Sequence, residues 1–128
     1  MRKIAVLGST GTIGRNTLDI VRRHRRLFKV TALAAGSNRD LLLSQIVEFR
    51  PLLVSVGTDA DAAALRRELG RRGPDILSGA EGASAAAAET SADLVVSAIA
   101  GFNGLRPTLA AVRAGKTVAL ANKESLVA

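Results

Sequence analysis

Three glycines near the start of the chain have a spacing that suits phosphate binding. Gly8, Gly11 and Gly14 form the pattern G-x-x-G-x-x-G directly after a short apolar run at residues 4–7. A strand, a glycine-rich turn and a helix in this order place backbone N–H groups and a positive helix end against a phosphate. The first glycine would turn the chain sharply, the second would let a pyrophosphate approach, and the third would let the helix pack close to the sheet. The alternative is a tight turn without a ligand.

Helical periodicity begins immediately after this turn. The residues predicted to share one face of the first helix are Ile13, Leu18, Val21 and Leu27. In a later helix at 40–49 the predicted inward residues are Leu41, Leu42, Ile46 and Phe49. The glycine motif therefore belongs to a first β–α–β unit, where a dinucleotide-binding fingerprint is expected.

The rest of the chain continues the alternation of short apolar runs and helical segments. Strands are predicted up to residue 7 and at 28–35, 52–56, 76–77, 93–98 and 117–121. Further helices are predicted at 58–69, through 83–88 after a capping box of Ser78 and Glu81, and at 105–114. This alternation predicts an α/β fold of the Rossmann-like, doubly wound type, with a mostly parallel sheet and helices on both faces.

The loop after the second predicted strand contains no carboxylate at its start. NAD-binding units usually carry an Asp or Glu here for the ribose hydroxyls, whereas this chain has Gly36, Ser37, Asn38 and Arg39. A hydroxyl, an amide and a guanidinium can bind a 2′-phosphate, so the loop favours NADP over NAD. Asp40 is assigned to the first turn of the next helix, with Asn38 as its N-cap. The alternative is a plain strand-to-helix loop with a capping Asn.

Two later segments follow strands at the edge where such sheets bind ligands. Residues 99–104 are rich in glycine and either pass the cofactor or simply form a turn. Asn122, Lys123 and Glu124 follow the last predicted strand, and a lysine there can hold a phosphate or an oxyanion. The alternative for these three residues is a solvated loop with Asn122 as a helix cap.

Length and composition exclude several classes of protein. The chain has 128 residues, 48% hydrophobic and 23% charged, which fits one globular domain. It has no cysteine and a single histidine, so disulfides and a zinc site are not expected. No apolar run approaches the roughly 18 residues of a membrane helix, and no signal peptide is evident. We expect no membrane association and a cytoplasmic location.

The net charge of +7 does not by itself indicate nucleic-acid binding. Many of the cations cluster near the predicted ends of two helices, namely Arg22, Arg23, Arg25, Arg26 and Lys29, and Arg66, Arg67, Arg71 and Arg72. Basic residues in a last helical turn complement the helix dipole and are usually solvated. Aromatic residues make up only 2% of the chain, which is few for base stacking. We therefore expect no nucleic-acid partner.

Four segments resemble the N-terminal, NADPH-binding domain of the 1-deoxy-D-xylulose 5-phosphate reductoisomerase family: GSTGTIG, NTLDIV, VTALAAGSN and LRPTLAAVRAGKTVALANKESLV. The likeness extends over essentially the whole chain and is loose only at about residues 57–90. The string ANKESLV is far more specific than the glycine pattern. Residues 1–128 are thus interpreted as a dinucleotide-binding domain.

The resemblance implies an oxidoreductase of non-mevalonate isoprenoid biosynthesis, which rearranges 1-deoxy-D-xylulose 5-phosphate and reduces the product with NADPH to 2-C-methyl-D-erythritol 4-phosphate. The cofactor-binding residues it implies are Thr10, Gly11, Thr12, Ile13, Gly36, Ser37, Asn38, Asn122 and Glu124. It also implies that Lys123 contacts the phosphorylated sugar substrate. Family members often have a basic residue at the position of Ser37, and Arg39 is the expected substitute for holding the 2′-phosphate.

The family is a homodimer of chains roughly three times this length. Its divalent metal (Mg²⁺, Mn²⁺ or Co²⁺) and most of its substrate phosphate are bound by residues that, by the resemblance, follow residue 128. We therefore expect no catalytic residue and no metal ligand in these 128 residues, which end as a new helix begins, and no turnover by them alone. The alternatives are the cofactor domain of another NADP-dependent dehydrogenase or a non-catalytic nucleotide-binding module.

Overall fold

A computed structural model of the chain describes residues 1–99 and 105–120. These residues form one parallel sheet flanked by helices. The strands are β1 (Arg2–Leu7), β2 (Phe28–Ala34), β3 (Leu53–Val56), β4 (Asp75–Ser78), β5 (Leu94–Ser97) and β6 (Thr117–Leu120). The helices are α1 (Thr12–Arg23), α2 (Arg39–Phe49), α3 (Asp59–Leu69), α4 (Gly79–Ala87) and α5 (Leu105–Arg113), with a 3₁₀ turn at Gly70–Arg72. The predicted alternation of strands and helices is confirmed.

The order of strands in the sheet is β4-β3-β2-β1-β5-β6, and each neighbouring pair is parallel. The chain thus moves outward from β1 in one direction through β4, and then returns to place β5 on the other side of β1. In open parallel sheets a crevice forms at the carboxyl ends of the strands where the order reverses. Here that point lies between β1 and β5. The Rossmann-like prediction is confirmed.

The two faces of the sheet are packed by different kinds of side chain. The face beneath α1, α2 and α3 is built largely from Val, Leu and Ile, including Val6, Leu33 and Leu65. The opposite face, covered by α4 and α5, is built mainly from alanines, including Ala34, Ala86 and Ala111. Because alanine is small, the helices on this second face can approach the sheet closely. A methyl group at Gly82 of α4 would lie 2.5 Å from Ser55 Oγ of β3.

Three local predictions were wrong. Leu18 and Val21 of α1 are buried, but Ile13 and Leu27 are 44% and 58% exposed. Ile13 lies in the first turn at the sheet edge, and Leu27 follows the end of the helix at Arg23. In α2 the fourth residue on the buried face is Gln45 instead of Leu41, which is only half-buried.

The predicted capping box at α4 does not form either. Ser78 is the N-cap residue, but its side chain makes no capping hydrogen bond, since its hydroxyl donates to the Asp59 carboxylate on α3. This hydrogen bond joins the N-terminus of α4 to that of α3 at the carboxyl edge of the sheet.

Candidate functional site

The glycine loop, residues 8–11, connects β1 to α1 at the carboxyl edge of the sheet. Gly8 has a φ of +81°, and a methyl group there would lie 2.7 Å from the Ala98 carbonyl oxygen beyond β5. A side chain is therefore excluded at Gly8 both by its backbone conformation and by lack of space. This agrees with the predicted role of the first glycine as the residue that turns the chain off the strand.

Gly14 and Gly11 have quite different surroundings. A methyl group at Gly14 would lie 2.0 Å from the Gly8 carbonyl oxygen, so α1 packs directly on the turn that precedes it. The predicted close approach of the helix to the sheet at Gly14 is wrong in its partner, because the close approach is to the loop. A methyl group at Gly11 would meet only the Gly8 carbonyl oxygen, at 3.6 Å, which is an ordinary contact. Nothing in the described structure fills the space above Gly11.

The N-terminus of α1 has no cap of its own. Gly11 is the N-cap residue, so no side chain accepts a hydrogen bond from the first turn, and that turn contains no acidic residue. The first N–H groups of a helix lack acceptors within the helix and carry a partial positive charge. Thr12 and Ile13, two of the predicted phosphate-binding residues, are exposed in this turn, and Thr10 is half-buried just before it.

Hydrogen bonds from three directions hold the loop in place. The N–H groups of Gly8 and Ser9 both donate to the Ala34 carbonyl at the end of β2, at 2.7 and 3.0 Å. The Gly11 N–H donates back to the Gly8 carbonyl at 3.2 Å. From α2, the buried Gln45 side chain donates through Nε2 to the Ser9 carbonyl at 2.8 Å. The loop is thus attached to both β2 and α2.

The predicted adenosine loop lies after β2, at the same edge. Gly36, Ser37 and Asn38 are exposed, and Asn38 caps α2, its side-chain oxygen accepting from the Leu41 N–H at 3.2 Å. The prediction of Asn38 as N-cap with Asp40 in the first turn is confirmed. The capping oxygen is engaged, which leaves the Asn38 side-chain N–H groups for a ligand.

Arg39, the expected substitute for binding a 2′-phosphate, already has an acidic neighbour. Its guanidinium Nη1 lies 3.3 Å from the Asp61 carboxylate on α3, and its Nε is buried without a hydrogen-bond partner among the described residues. Gly36 is fixed nearby, because its carbonyl accepts a hydrogen bond from the Gly57 N–H at 3.1 Å. Arg39 therefore adds positive charge to the loop, partly compensated by Asp61.

The remaining predicted site residues cannot be placed. Asn122, Lys123 and Glu124, and residues 100–104, lie outside the described residues. The strands that lead to these segments are described: β5 pairs with β1, and β6 pairs with β5. Both segments consequently follow strands whose carboxyl ends are at the edge of the glycine loop.

No donor set for a divalent metal is found in the described part of the chain, where no group of three or more His, Asp or Glu side chains comes together. The family resemblance implies such a metal, but residues 1–99 and 105–120 do not fit it, and we assign it no role in their chemistry. Across the same residues, no helix is both long and apolar enough to cross a membrane.

The sequence predicts that the arginines near the end of α1 are simply solvated. For Arg22 and Arg25 this prediction is wrong, because both pair with an acidic residue of α2. The Arg22 guanidinium donates to both carboxylate oxygens of Glu48, at 2.5 and 2.7 Å, and Arg25 donates to the same group at 3.1 Å. Both guanidinium groups also lie over the Phe49 ring, about 5.5 Å from its centre. The hydrogen bond from Arg22 holds the pKa of Glu48 below its ordinary value, and Glu48 in turn raises the pKa of Arg22. This cluster ties α1 to α2.

One groove of about 810 Å³ lies away from the glycine loop. Its lining includes Arg50, Pro51 and Leu52 before β3, and Gly73 and Pro74 before β4. These residues precede their strands, so the groove is at the amino-terminal edge of the sheet. Ligands of doubly wound folds bind at the opposite edge.

One residue of this site escaped sequence reasoning. Gln45 had a signal: it is three residues after Leu42 and four before Phe49, which is the spacing of the buried helix face. A polar residue at such a position is expected to have a buried hydrogen-bond partner. The identity of that partner, the Ser9 carbonyl, depends on how α2 packs on the sheet.

Comparison with known proteins gives a consistent result. Residues 4–128 match the sequence profile of the family described as 1-deoxy-D-xylulose 5-phosphate reductoisomerase. The protein of that name from Chlorobium phaeobacteroides (strain BS1) is 54% identical over 127 residues, 99% of this chain and 33% of the relative. The one from Geotalea uraniireducens (strain Rf4) is 56% identical over the same coverage. The chain spans about a third of the length of these curated relatives.

Solved structures show the same similarity. A DOX-P reductoisomerase in complex with NADPH, fosmidomycin and magnesium superposes with a TM-score of 0.93 at 42% identity, over 99% of this chain and 31% of that one. The enzyme from Zymomonas mobilis in complex with NADPH gives a TM-score of 0.90 at 39% identity, over 98% of this chain and 33% of that one. The chain therefore belongs to the 1-deoxy-D-xylulose 5-phosphate reductoisomerase family.

Proposed function

We propose that these 128 residues are the NADPH-binding domain of a 1-deoxy-D-xylulose 5-phosphate reductoisomerase. The observation that carries the proposal is the uncapped N-terminus of α1 above the open face of Gly11, at the point where the strand order reverses. Free N–H groups, a positive helix end and a backbone without side chains are what a pyrophosphate requires. The family and the two NADPH complexes support the choice of cofactor.

Each part of the edge has a role in this proposal. Thr10, Thr12 and Ile13 bind the pyrophosphate through backbone N–H groups, and Gly11, which has no side chain, lets the pyrophosphate approach. Gly36, Ser37, Asn38 and Arg39 bind the adenosine end, with the hydroxyl, the amide and the guanidinium facing the 2′-phosphate. Asn122 and Glu124 contact the cofactor further along the edge, and Lys123 contacts the phosphorylated sugar substrate. When bound, NADPH supplies the hydride that reduces the rearranged aldehyde. The residues named here bind and orient; they do not perform the rearrangement.

The whole enzyme is a larger assembly in this proposal. Residues outside this chain hold the divalent metal and most of the substrate, and the complete protein is a homodimer in the cytoplasm. Accordingly, we expect the 128 residues mixed with NADPH, Mg²⁺ and 1-deoxy-D-xylulose 5-phosphate to leave the NADPH absorbance unchanged. Steady consumption of NADPH that depends on the sugar phosphate would contradict the assignment of metal and substrate binding to residues outside this chain.

The direct test of the proposal is calorimetric titration of the chain with NADPH and, separately, with NADH. We expect clear binding of NADPH and much weaker binding of NADH, because only NADPH has the 2′-phosphate that the loop after β2 can bind. Equal affinities would overturn the assignment of that loop but not of the glycine loop. If neither nucleotide binds, these residues are not sufficient as a cofactor site, and that assignment is overturned.

A matched pair of variants locates the 2′-phosphate. Arg39→Gln removes one positive charge beside the adenosine loop, and Arg67→Gln removes one from the exposed part of α3. We expect Arg39→Gln to weaken NADPH binding about tenfold, the value of one charged hydrogen bond, while leaving NADH unchanged. Arg67→Gln should change neither. An equal effect of the two variants would mean that only the overall charge matters.

A further inference from the structure

A buried amide side chain crosses from α2 to the glycine loop. Gln45 is only 5% exposed and lies between the buried Leu42 and Ile46 on the inner face of its helix. Its Nε2 donates to the Ser9 carbonyl at 2.8 Å, across a sequence separation of 36 residues. Ser9 is itself fully buried. This hydrogen bond is thus shielded from water and joins a distant helix to the backbone of the loop.

The direction of this bond determines where the next N–H group points. In a trans peptide the carbonyl and the N–H lie on opposite sides of the unit. Because Gln45 draws the Ser9 carbonyl towards α2, the Thr10 N–H of the same peptide points away from α2. The N–H groups of Gly8, Ser9 and Gly11 all donate to backbone carbonyls. Among the described residues, the Thr10 N–H has no such acceptor.

We propose that Gln45 is a positioning residue for the glycine loop: it fixes the Ser9–Thr10 peptide so that the Thr10 N–H faces the cofactor phosphate. This inference rests on the proposed function. Gln45 itself does not touch the cofactor. It acts by setting the orientation of one peptide before the ligand arrives, which lowers the cost of ordering the loop on binding.

The unsatisfied polar atoms beside this bond support a role beyond packing. Gln45 Oε1 and Ser9 Oγ are both buried without a hydrogen-bond partner among the described residues. Burying such groups costs free energy, and a leucine at position 45 would complete the apolar face of α2 without that cost. An amide here is therefore a poor choice for stability alone, and its benefit lies in the bond to the loop.

The test compares Gln45→Met with Ile46→Val in the 128-residue chain. Methionine nearly matches the length of glutamine but cannot donate to the Ser9 carbonyl. Ile46→Val removes one buried methyl group from the same helix, at a side chain that cannot form hydrogen bonds, so it serves as the control for lost stability. The readouts are the dissociation constant of NADPH, the melting temperature, and the backbone amide signals of Thr10 and Gly11 in the NMR spectrum of the free protein.

We expect Gln45→Met to weaken NADPH binding about tenfold, the equivalent of one hydrogen bond, and to move the Thr10 amide signal in the absence of ligand. Ile46→Val should lower the melting temperature with both the affinity and the Thr10 signal unchanged. If Gln45→Met alters only the melting temperature, Gln45 is a structural residue and the inference is overturned.

The design separates this inference from the proposed function. If the unsubstituted chain does not bind NADPH, the cofactor assignment fails, whatever Gln45 does. In that case the amide signals still decide the local claim: an unchanged Thr10 signal in Gln45→Met overturns the control of the peptide by Gln45. If the unsubstituted chain binds NADPH and Gln45→Met binds it equally well, only the positioning role is wrong.

Discussion

The N-terminus of α1 is built differently from those of α2 and α3. Asn38 and Thr58 cap α2 and α3 with their side-chain oxygens, and the first turns carry Asp40 in α2, and Asp59 and Asp61 in α3. The helix α1 begins at Gly11 with neither a capping side chain nor an acidic residue. Asn38 and Thr58 each satisfy one N–H group of their own helix, whereas no side chain does so in α1. The N-terminus of α1 therefore lacks the stabilisation of a capping side chain at the place where we propose that the cofactor binds.

The largest expected effect comes from Gly14→Ala, which would break this arrangement. In most helix interiors alanine stabilises relative to glycine, by about 1 kcal/mol. Here the added methyl would lie 2.0 Å from the Gly8 carbonyl oxygen, so either α1 or the loop must move. We expect a loss of roughly 3 kcal/mol in the free energy of unfolding, measured by denaturant titration.

The control for this variant is Gly36→Ala, where an added methyl meets no described atom within 4 Å. Its free energy of unfolding should remain within about 0.5 kcal/mol of the original. A Gly14→Ala variant as stable as Gly36→Ala would mean that the close packing of α1 on the loop is not needed by the fold.

A second prediction concerns variants that give α1 a capping side chain like those of α2 and α3. Gly11→Asp adds a capping carboxylate like the side-chain caps of α2 and α3, and Gly11→Asn adds a similar cap without charge. We expect both variants to be slightly more stable without ligand, by a few tenths of a kcal/mol. NADPH binding should fall in both, and Gly11→Asp should lose a further tenfold or more, about 1.4 kcal/mol, by repulsion of the phosphates. Calorimetry that gave Gly11→Asp the original affinity would place the phosphates elsewhere.

A third prediction concerns the self-capped helices. Thr58→Ala removes the side chain that accepts from the Asp61 N–H at 3.2 Å, and it should cost about 1 kcal/mol of stability. NADPH affinity should not change, since Thr58 is outside the proposed site. Ser44→Ala serves as the control, because that exposed hydroxyl only bonds back to the Asp40 carbonyl within α2. If Thr58→Ala and Ser44→Ala have equal thermal stability, the Thr58 cap does not stabilise α3, and the proposed difference between capped and uncapped helices is wrong.

The smallest effect is expected at the other end of α1. Arg22 holds the pKa of Glu48 below its ordinary value of 4.5. The ionised Glu48 therefore makes its full contribution to stability when the pH is above 4.5. The contribution is lost as the pH falls through the lowered pKa. Because Glu48 and Arg22 are 31% and 44% exposed, we expect Glu48→Gln to cost less than about 1 kcal/mol at neutral pH.

The measurement is the melting temperature as a function of pH. Glu48→Gln should approach the stability of the original protein below the lowered pKa and differ most above pH 4.5. The control is Glu68→Gln, which alters an exposed carboxylate on α3. A difference between Glu48→Gln and the original that persisted unchanged into acid would assign its effect to packing.

What the sequence predicted well depends on neighbours in the chain. The glycine turn and the Asn38 cap each involve residues within three or four positions of one another. Their physics is local, so the pattern of residue types is sufficient. The same holds for the alternation of strands and helices, which with the glycine motif indicated a doubly wound sheet.

What the sequence did not predict depends on tertiary packing. The hydroxyl of Ser78 bonds to Asp59 instead of capping α4, because the starts of α3 and α4 meet at the carboxyl edge of the sheet. The bond from Gln45 to Ser9 and the pairing of Arg22 with Glu48 each join α2 to a segment more than 20 residues away. Residue types allow many such partners, and only the packing of helices on the sheet selects one.

The difference between the two faces of the sheet affects where local unfolding of the domain should begin. Burial stabilises by about 0.8 kcal/mol per methylene group, so the alanines under α4 and α5 contribute far less than the leucines and valines under α1, α2 and α3. Partial opening should therefore begin on the alanine face. We therefore expect the helix that starts at the glycine loop to stay in place during such fluctuations, and the amides in its middle to exchange more slowly than those of α4 and α5.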